Sequence, residues 1–300
     1  MVVSQTLRPQ TQQGYRGRFA PSPSGLLHFG SLIAALASFL DAKHNNGKWL
    51  VRIEDIDPPR EKKGASAEIL ATLESYGLQW DEDVLYQSQQ TSLYQNVLTE
   101  LAQQKLSYYC ACTRAQIKAA GGIYQGYCRE RNLDAESCAT RVINSVGIAS
   151  YQDLVQGQVN CGHVLAQEDF IVQRKDKLFA YQLAVVVDDI YQGISHVIRG
   201  CDLLEPTARQ LSFYQILNHK APKFGHFPLA ITHQGYKLSK QNNAPAINRQ
   251  SPIPSLIAAL TFLGQQPPNE LKDANVDELL IWAVQHWSLE QVPKTKEIVL

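Results

Sequence analysis

The chain has 300 residues, 28 Lys plus Arg against 28 Asp plus Glu, and 44% hydrophobic residues. That is enough apolar material for a full core and for more than one domain. Zero formal charge excludes a global positive field of the kind that draws proteins onto nucleic acid regardless of sequence, so an RNA partner would need a local basic patch.

The first residues, "MVVSQTLRPQTQQGYRG", are polar and lack the layout of a signal peptide, so residues 1–14 are expected to form a disordered leader. No run approaches the roughly 18 apolar residues of a membrane span. The six cysteines are too irregular for a secreted disulfide scaffold, which points to reduced thiols and the cytoplasm. "YRGRFA" suits a strand, "APSPSG" a turn, and "LLHFGSLIAALASFLDAKHNNG" a helix ended by Asn-Asn-Gly. "KWLVRIEDID" reads as a second strand and "GASAEILATLESYGL" as an amphipathic helix, the rhythm of a parallel sheet covered by helices. A third helix is expected from about Ser92 to Lys105, and then a cysteine-bearing, aromatic and glycine-rich stretch from Tyr108 to about Gly162 interrupts the pattern as an insertion. "LAVVVDDIYQGISHVIRG" carries a strong β pattern. It is followed by a helix in "EPTARQLSFYQILNH", a strand in "FGHFPLAIT", the polar loop "HQGYKLSKQNNAP", and helices over about Ile253 to Leu263 and Val276 to His286.

A turn is the cheapest account of "APSPSG" alone. Directly after it, however, a histidine and a glycine open a helix, bringing free backbone N–H groups, the positive helix end and an imidazole to one place that attracts phosphate. Neither GxxxxGK[ST] nor GxGxxG is present. "RFAPSPSGLLHFGSL" resembles the first signature of class I aminoacyl-tRNA synthetases of the glutamyl and glutaminyl branch, with "HFGS" in the place of the HIGH motif. "LVRIEDIDPPR", "VIRGCDLLEPTARQLSFYQIL" and "YKLSKQ" follow in that branch's order and spacing, the last where its KMSKS-type loop stands. The chain ends about 60 residues after that loop, too few for the anticodon-binding portion of full-length glutamyl enzymes. With its cysteine and tyrosine insertion it is similar to the truncated paralogues that attach glutamate to the queuosine base at the wobble position of tRNA(Asp).

The resemblance implies an α/β fold with a Rossmann-type parallel sheet, a zinc-bearing insertion and a short C-terminal helical region. It divides the chain into 15–107 (first half of the catalytic domain), 108–195 (insertion returning to the sheet), 196–245 (second half with the lysine loop) and 246–300 (helical), with no anticodon-binding domain. It also implies ATP with Mg²⁺, L-glutamate activated without tRNA, queuosine-containing tRNA(Asp) as acceptor, and a monomer without a membrane partner. His28, Lys237 and Lys240 would serve catalysis, and His28, Gly30, Ser31 and Lys240 would hold ATP. Ser31 stands in the place of the motif's second histidine, and Gln241 in that of the lysine loop's final serine. Arg18, Ala20, Ser22, Glu54, Tyr181 and Arg199 would form the glutamate pocket. The chemistry agrees: in-line attack of a carboxylate on the α-phosphate of ATP asks for positioning and positive charge, and an amino acid with two carboxylates and an ammonium asks for two arginines and an acid. Glu54 or Asp55 could instead pair with Arg52 or Arg60, and Asp57, Arg60, Asp202 and the solitary His219, His226 and His233 receive no role.

Cys110, Cys112 and Cys128 lie close together in sequence, with C-x-C spacing able to bind zinc as thiolates. Ligand statistics favour Cys138 or His163 as the fourth donor, whereas the resemblance implies Tyr124. Buried thiols without metal are the competing account. Other readings of the whole chain are a compact glutamyl or glutaminyl synthetase charging a tRNA 3′ end, a noncatalytic tRNA-binding paralogue, and a small-molecule nucleotidyltransferase.

Overall fold

The computed structural model describes Leu7 and residues 14–234, 236–238 and 245–300. The leader expected over residues 1–14 falls outside these apart from Gly14 and Leu7, and Leu7 is buried against the core.

The elements run β1 (Arg16–Phe19), α1 (Phe29–His44), β2 (Lys48–Ile53), α2 (Ala65–Ser75), β3 (Leu85–Tyr86), α3 (Thr91–Gln103), β4 (Ser107–Cys110), α4 (Arg114–Ala119), β5 (Ala139–Val142), β6 (Ser150–Asp153), β7 (Gly157–Asn160), α5 (His163–Ala166), β8 (Ile171–Gln173), α6 (Tyr181–Tyr191), β9 (His196–Gly200), α7 (Pro206–Ile216), β10 (Lys223–Phe227), β11 (Leu229–Ile231), α8 (Pro252–Phe262), α9 (Val276–His286) and β12 (Glu297–Val299). β1 and β3 flank β2 in parallel, and β9 pairs with β10 in parallel. Ser195 joins the two groups, its N–H donating to the Arg16 carbonyl at 2.9 Å and its hydroxyl accepting from the Arg16 N–H at 2.8 Å.

Alternation along the strands separates two apolar layers. Trp49, Val51 and Ile53 pack with α1, α8 and α9, while Leu50 points to the other side, among residues of α3, α6 and α7. Ile198 and Val197 divide in the same way. This is the helix-covered parallel sheet expected of the chain.

Residues 181–191 are helical, and only His196–Gly200 of the expected β run forms a strand. A continuous apolar stretch does not separate buried strand from buried helix. Helix α6 buries eight consecutive residues, Leu183 to Ile190, so its Val-Val-Val sequence reflects burial on all sides. Helix α1 starts at Phe29, with His28 as its N-cap. It ends through Asn46, whose φ of 52° is left-handed, and Gly47, where a Cβ would stand 2.5 Å from the Tyr15 carbonyl oxygen. Between α3 and α6 the insertion forms the antiparallel sheet β4-β5-β8 and the hairpin β6-β7. The Leu154 N–H in the hairpin turn donates to the Phe224 carbonyl of β10 at 2.8 Å, anchoring that hairpin beside the site.

Candidate active site

The "APSPSG" loop is held against the C-terminal end of β2: the Glu54 N–H donates to the Pro21 carbonyl at 3.0 Å, and the Lys62 N–H to that of Pro23 at 2.9 Å. It thereby forms one wall of a cavity of about 620 Å³ at the carboxyl ends of β1, β2 and β9. Arg18, Ala20, Ser22, His28, Gly30, Ser31, Glu54, Tyr181, Arg199 and Lys237 all line it. Of the expected glutamate and ATP residues, Lys240 lies outside the described residues, as does Gln241.

His28 is buried, and its Nδ1 accepts the Ser31 N–H at 3.3 Å. The imidazole therefore caps one of the N–H groups expected to be free for phosphate, and Nε2 is the protonated nitrogen. Gly30 admits the lysine loop: a Cβ there would lie 3.0 Å from the Leu238 carbonyl oxygen. Lys237 pairs with Asp202 across the cavity mouth, giving a partner to an acid that the sequence left without a role.

Arg18 and Arg199 are buried, but are held by different means. Arg18 donates Nε and Nη2 to Asp189 at 3.2 and 3.4 Å, and Arg52 donates Nη2 to the same carboxylate at 2.6 Å. Burial opposes ionisation of Asp189, yet the two guanidiniums keep its carboxyl below the usual range. Asp188, accepting from Tyr94 and Gln87, is pushed up to about 6, chiefly by burial. The alternative pairings of Glu54 and Asp55 with Arg52 or Arg60 are not formed. Asp55 accepts from the Ser88 N–H and hydroxyl at 2.9 and 2.7 Å, Arg60 pairs with Asp57, and Arg52 with Asp189.

Arg199 donates Nε to His226 Nε2 at 3.0 Å and Nη2 to Thr207 and Gln210 at 2.7 Å each. Its Nη1 is buried with no hydrogen-bond partner among the described residues. In a cavity wall, such an atom is a site waiting for an acceptor. Burial pushes the Glu54 carboxyl up to about 7, although Arg52 and Arg18 pull it down.

In the insertion, the thiols of Cys110, Cys112 and Cys128 lie within 4.8 Å of one another, and neither Cys138 nor His163 belongs to the group. The Tyr124 hydroxyl accepts the Cys128 N–H at 2.9 Å, and the Arg141 guanidinium covers the Tyr124 ring at 3.8 Å. Burial opposes ionisation of Cys128, but hydrogen bonds from the Ala111 backbone, the neighbouring thiols and Tyr124 bring it down to about 7. Three converging thiols with one near neutrality suit a tetrahedral zinc ion that needs one further donor. Arg129 chelates the buried Asp169 at 2.6 Å through both Nε and Nη2 and braces this region.

Comparison with known proteins agrees with this geometry. The model of the class I tRNA synthetase (E and Q) catalytic domain matches residues 15–253. The glutamyl-Q tRNA(Asp) synthetase of Colwellia psychrerythraea is 61% identical over 99% of this chain and 98% of its own. The chain belongs to the glutamyl-Q tRNA(Asp) synthetase family. The protein of that name from Pectobacterium atrosepticum is 54% identical over 93% of this chain and 87% of its own. A glutamate tRNA ligase from Elizabethkingia meningosepticum, solved with its amino acid, superposes with a TM-score of 0.77 at 25% identity, over 95% of this chain and 67% of that one. As in other class I synthetases, ATP is the energy source. No helix among the described residues is long and apolar enough to cross a membrane.

Several residues of the site escape motif reading. Asp188 and Asp189 inside an apolar run were a visible signal, because acids are seldom fully buried without partners. His226 carried none, and Thr207 and Gln210 stand within the "VIRGCDLLEPTARQLSFYQIL" motif, which gives them no role, since all three act through contacts with Arg199 across β9, α7 and β10.

Proposed function

We propose that this synthetase activates L-glutamate with magnesium-bound ATP in the absence of tRNA, and then transfers the glutamyl group to a ring hydroxyl of the queuosine base of tRNA(Asp). The observation that carries the first half is the cavity itself, where two buried arginines, one with an unpaired Nη1, share a wall with Glu54 and His28. Arg18 and Arg199 take the two carboxylates of glutamate and Glu54 its ammonium, with Ala20, Ser22 and Tyr181 completing the walls. A carboxylate oxygen attacks the α-phosphorus of ATP, a P–O bond forms, and pyrophosphate leaves. His28, the N–H groups around Gly30 and Ser31, Lys237 and Lys240 stabilise the charge that builds on the phosphoryl oxygens. The base hydroxyl then attacks the mixed anhydride, forming an ester and releasing AMP. The names of the relatives support this acceptor. The enzyme acts as a cytoplasmic monomer. Glutamate-dependent exchange of labelled pyrophosphate into ATP without RNA tests the first half; no exchange under any condition would make the chain a binding paralogue.

The Glu54 assignment predicts a proton balance. Burial raises the carboxyl from its ordinary 4.5 to about 7 in the folded free enzyme, so between those pH values the folded chain holds a proton that the unfolded chain has released. The stability this group contributes is complete below about 4.5 and lost as pH rises to about 7. A bound ammonium reverses the preference, so glutamate binding at pH 6 should release a proton. Calorimetry in buffers of different ionisation enthalpy reads it, and the release should vanish in Glu54→Gln.

Cys110, Cys112, Cys128 and Tyr124 would hold one structural zinc ion, whose chemical contribution is to tie down an insertion poor in apolar residues. Elemental analysis should find one zinc per chain. Chelation should lower the melting temperature while leaving the KM for glutamate within about twofold, since the cluster is outside the cavity. A metal-free chain of unchanged stability after chelation would contradict the assignment.

A further inference from the structure

Arg199 is held from behind by a chain of buried groups that begins in the insertion. Asp153, at the end of β6, accepts three backbone N–H groups on Oδ1, those of Val155, Gln156 and His226, at 2.9, 2.9 and 3.1 Å. Its Oδ2 meets His226 Nδ1 at 2.5 Å. An ionised carboxylate only accepts, so Nδ1 carries the proton and Nε2 presents its lone pair to the Arg199 Nε–H, 3.0 Å away. Burial lowers the imidazole's basicity and Arg199 adds to that, outweighing the upward pull of Asp153, in keeping with an Nε2 that accepts rather than donates. Asp153, His226 and Arg199 are almost wholly inaccessible to solvent. The Arg199 guanidinium lies 4.9 Å from the Phe224 ring centroid, and Thr207 and Gln210 hold its Nη2.

We infer that Asp153 and His226 are positioning residues for glutamate: Asp153 fixes the tautomer of His226, and His226 fixes the rotation of the Arg199 guanidinium so that the unpaired Nη1 meets a substrate carboxylate. This rests on the proposed reading of Arg199 as a carboxylate ligand. A guanidinium with all its nitrogens satisfied by protein would have nothing left for a ligand. One without the Nε acceptor could rotate about its last torsion and lose the paired geometry that carboxylate recognition requires. The arrangement also links the β6-β7 hairpin of the insertion to the amino-acid pocket through two side chains.

Asp153→Asn tests the relay with little change of shape. The Asn Oδ1 keeps the three backbone N–H groups, but its Nδ2 donates to His226 Nδ1, which drives the ring proton to Nε2 and against the Arg199 Nε–H. Nitrogen-15 spectra of the full-length protein should show the His226 tautomer inverted. Pyrophosphate exchange should show the KM for glutamate raised about tenfold with the KM for ATP unchanged. In an Arg199→Lys background, where glutamate affinity is already reduced, the same change should add less than about twofold, because it acts through the guanidinium. An inverted tautomer with an unchanged glutamate KM would overturn the inference, as would a full-sized effect in the Arg199→Lys background. If Arg199→Lys alone leaves the glutamate KM unchanged, the reading of Arg199 fails, and this inference with it. Should Asp153→Asn not fold, His226→Gln and His226→Met read the same contact: Gln retains an acceptor toward Arg199 and keeps KM near the parent value, whereas Met raises it about tenfold. Equal effects of the two would overturn the inference.

Discussion

Arg199→Ala should lower kcat/KM for glutamate in pyrophosphate exchange by on the order of 10²- to 10³-fold, with most of the change in KM. Truncating one member of a buried, hydrogen-bonded charge pair costs about 2–5 kcal/mol, and each 1.36 kcal/mol is about tenfold in rate. The change also takes the Arg199 donor from the Gln210 side-chain oxygen and one partner each from Thr207 and His226, which keep Leu203 and Asp153. Arg199→Lys restores charge without the planar fork and should recover only a small part of the loss. The KM for ATP should move little, which separates loss of the amino-acid pocket from general damage to the site. A variant with parent-like glutamate kinetics would remove Arg199 from the pocket.

The second large effect is on stability. Asp189→Leu should destabilise the fold by about 3–5 kcal/mol, because it leaves the buried guanidiniums of Arg18 and Arg52 without their shared carboxylate. That is a sizeable share of the 5–15 kcal/mol that typically holds a domain together. Urea denaturation reads the loss as a lower midpoint at unchanged slope. Arg18, which contacts Asp189 through both Nε and Nη2, should also lose its orientation toward the cavity, so any folded variant should show a raised glutamate KM. An unchanged midpoint would mean that Asp188 alone compensates the two arginines.

The contrast between Arg18 and Arg199 also shows what could be read from the sequence. Both arginines, Glu54 and His28 sit in short motifs, and the loop, helix and strand ends carrying them converge as the β-α-β rhythm requires. Some of their supports share those motifs, Arg52 with Glu54 and Thr207 and Gln210 with Arg199, but Asp153, Asp189 and His226 lie in none of them. Arg52 meets Asp189 137 residues away, and His226 meets Asp153 at a separation of 73; such pairs leave no periodic trace in a single chain. Helix α6 reads as a strand in the sequence for a related reason. Its consecutive valines look like a strand until Asp188 and Asp189 are recognised as buried partners for Arg52 and Arg18, which a helix can present together on the sheet. In the insertion, the C-x-C pair and Cys128 were legible as a cluster. Exclusion of Cys138 and His163 from that cluster needed three-dimensional proximity.

If the glutamyl acceptor is a base rather than a tRNA terminus, transfer must survive the loss of that terminus. Purified protein with ATP, magnesium and labelled glutamate would be given queuosine-containing or queuosine-lacking tRNA(Asp) whose 3′ ends have been oxidised with periodate, with the queuosine ring hydroxyls protected during oxidation and then freed. Label should appear on the queuosine-containing RNA alone, undiminished by the blocked terminus. Label that disappears on blocking, or that ignores queuosine, would contradict a base acceptor and make this chain a compact synthetase of the ordinary kind.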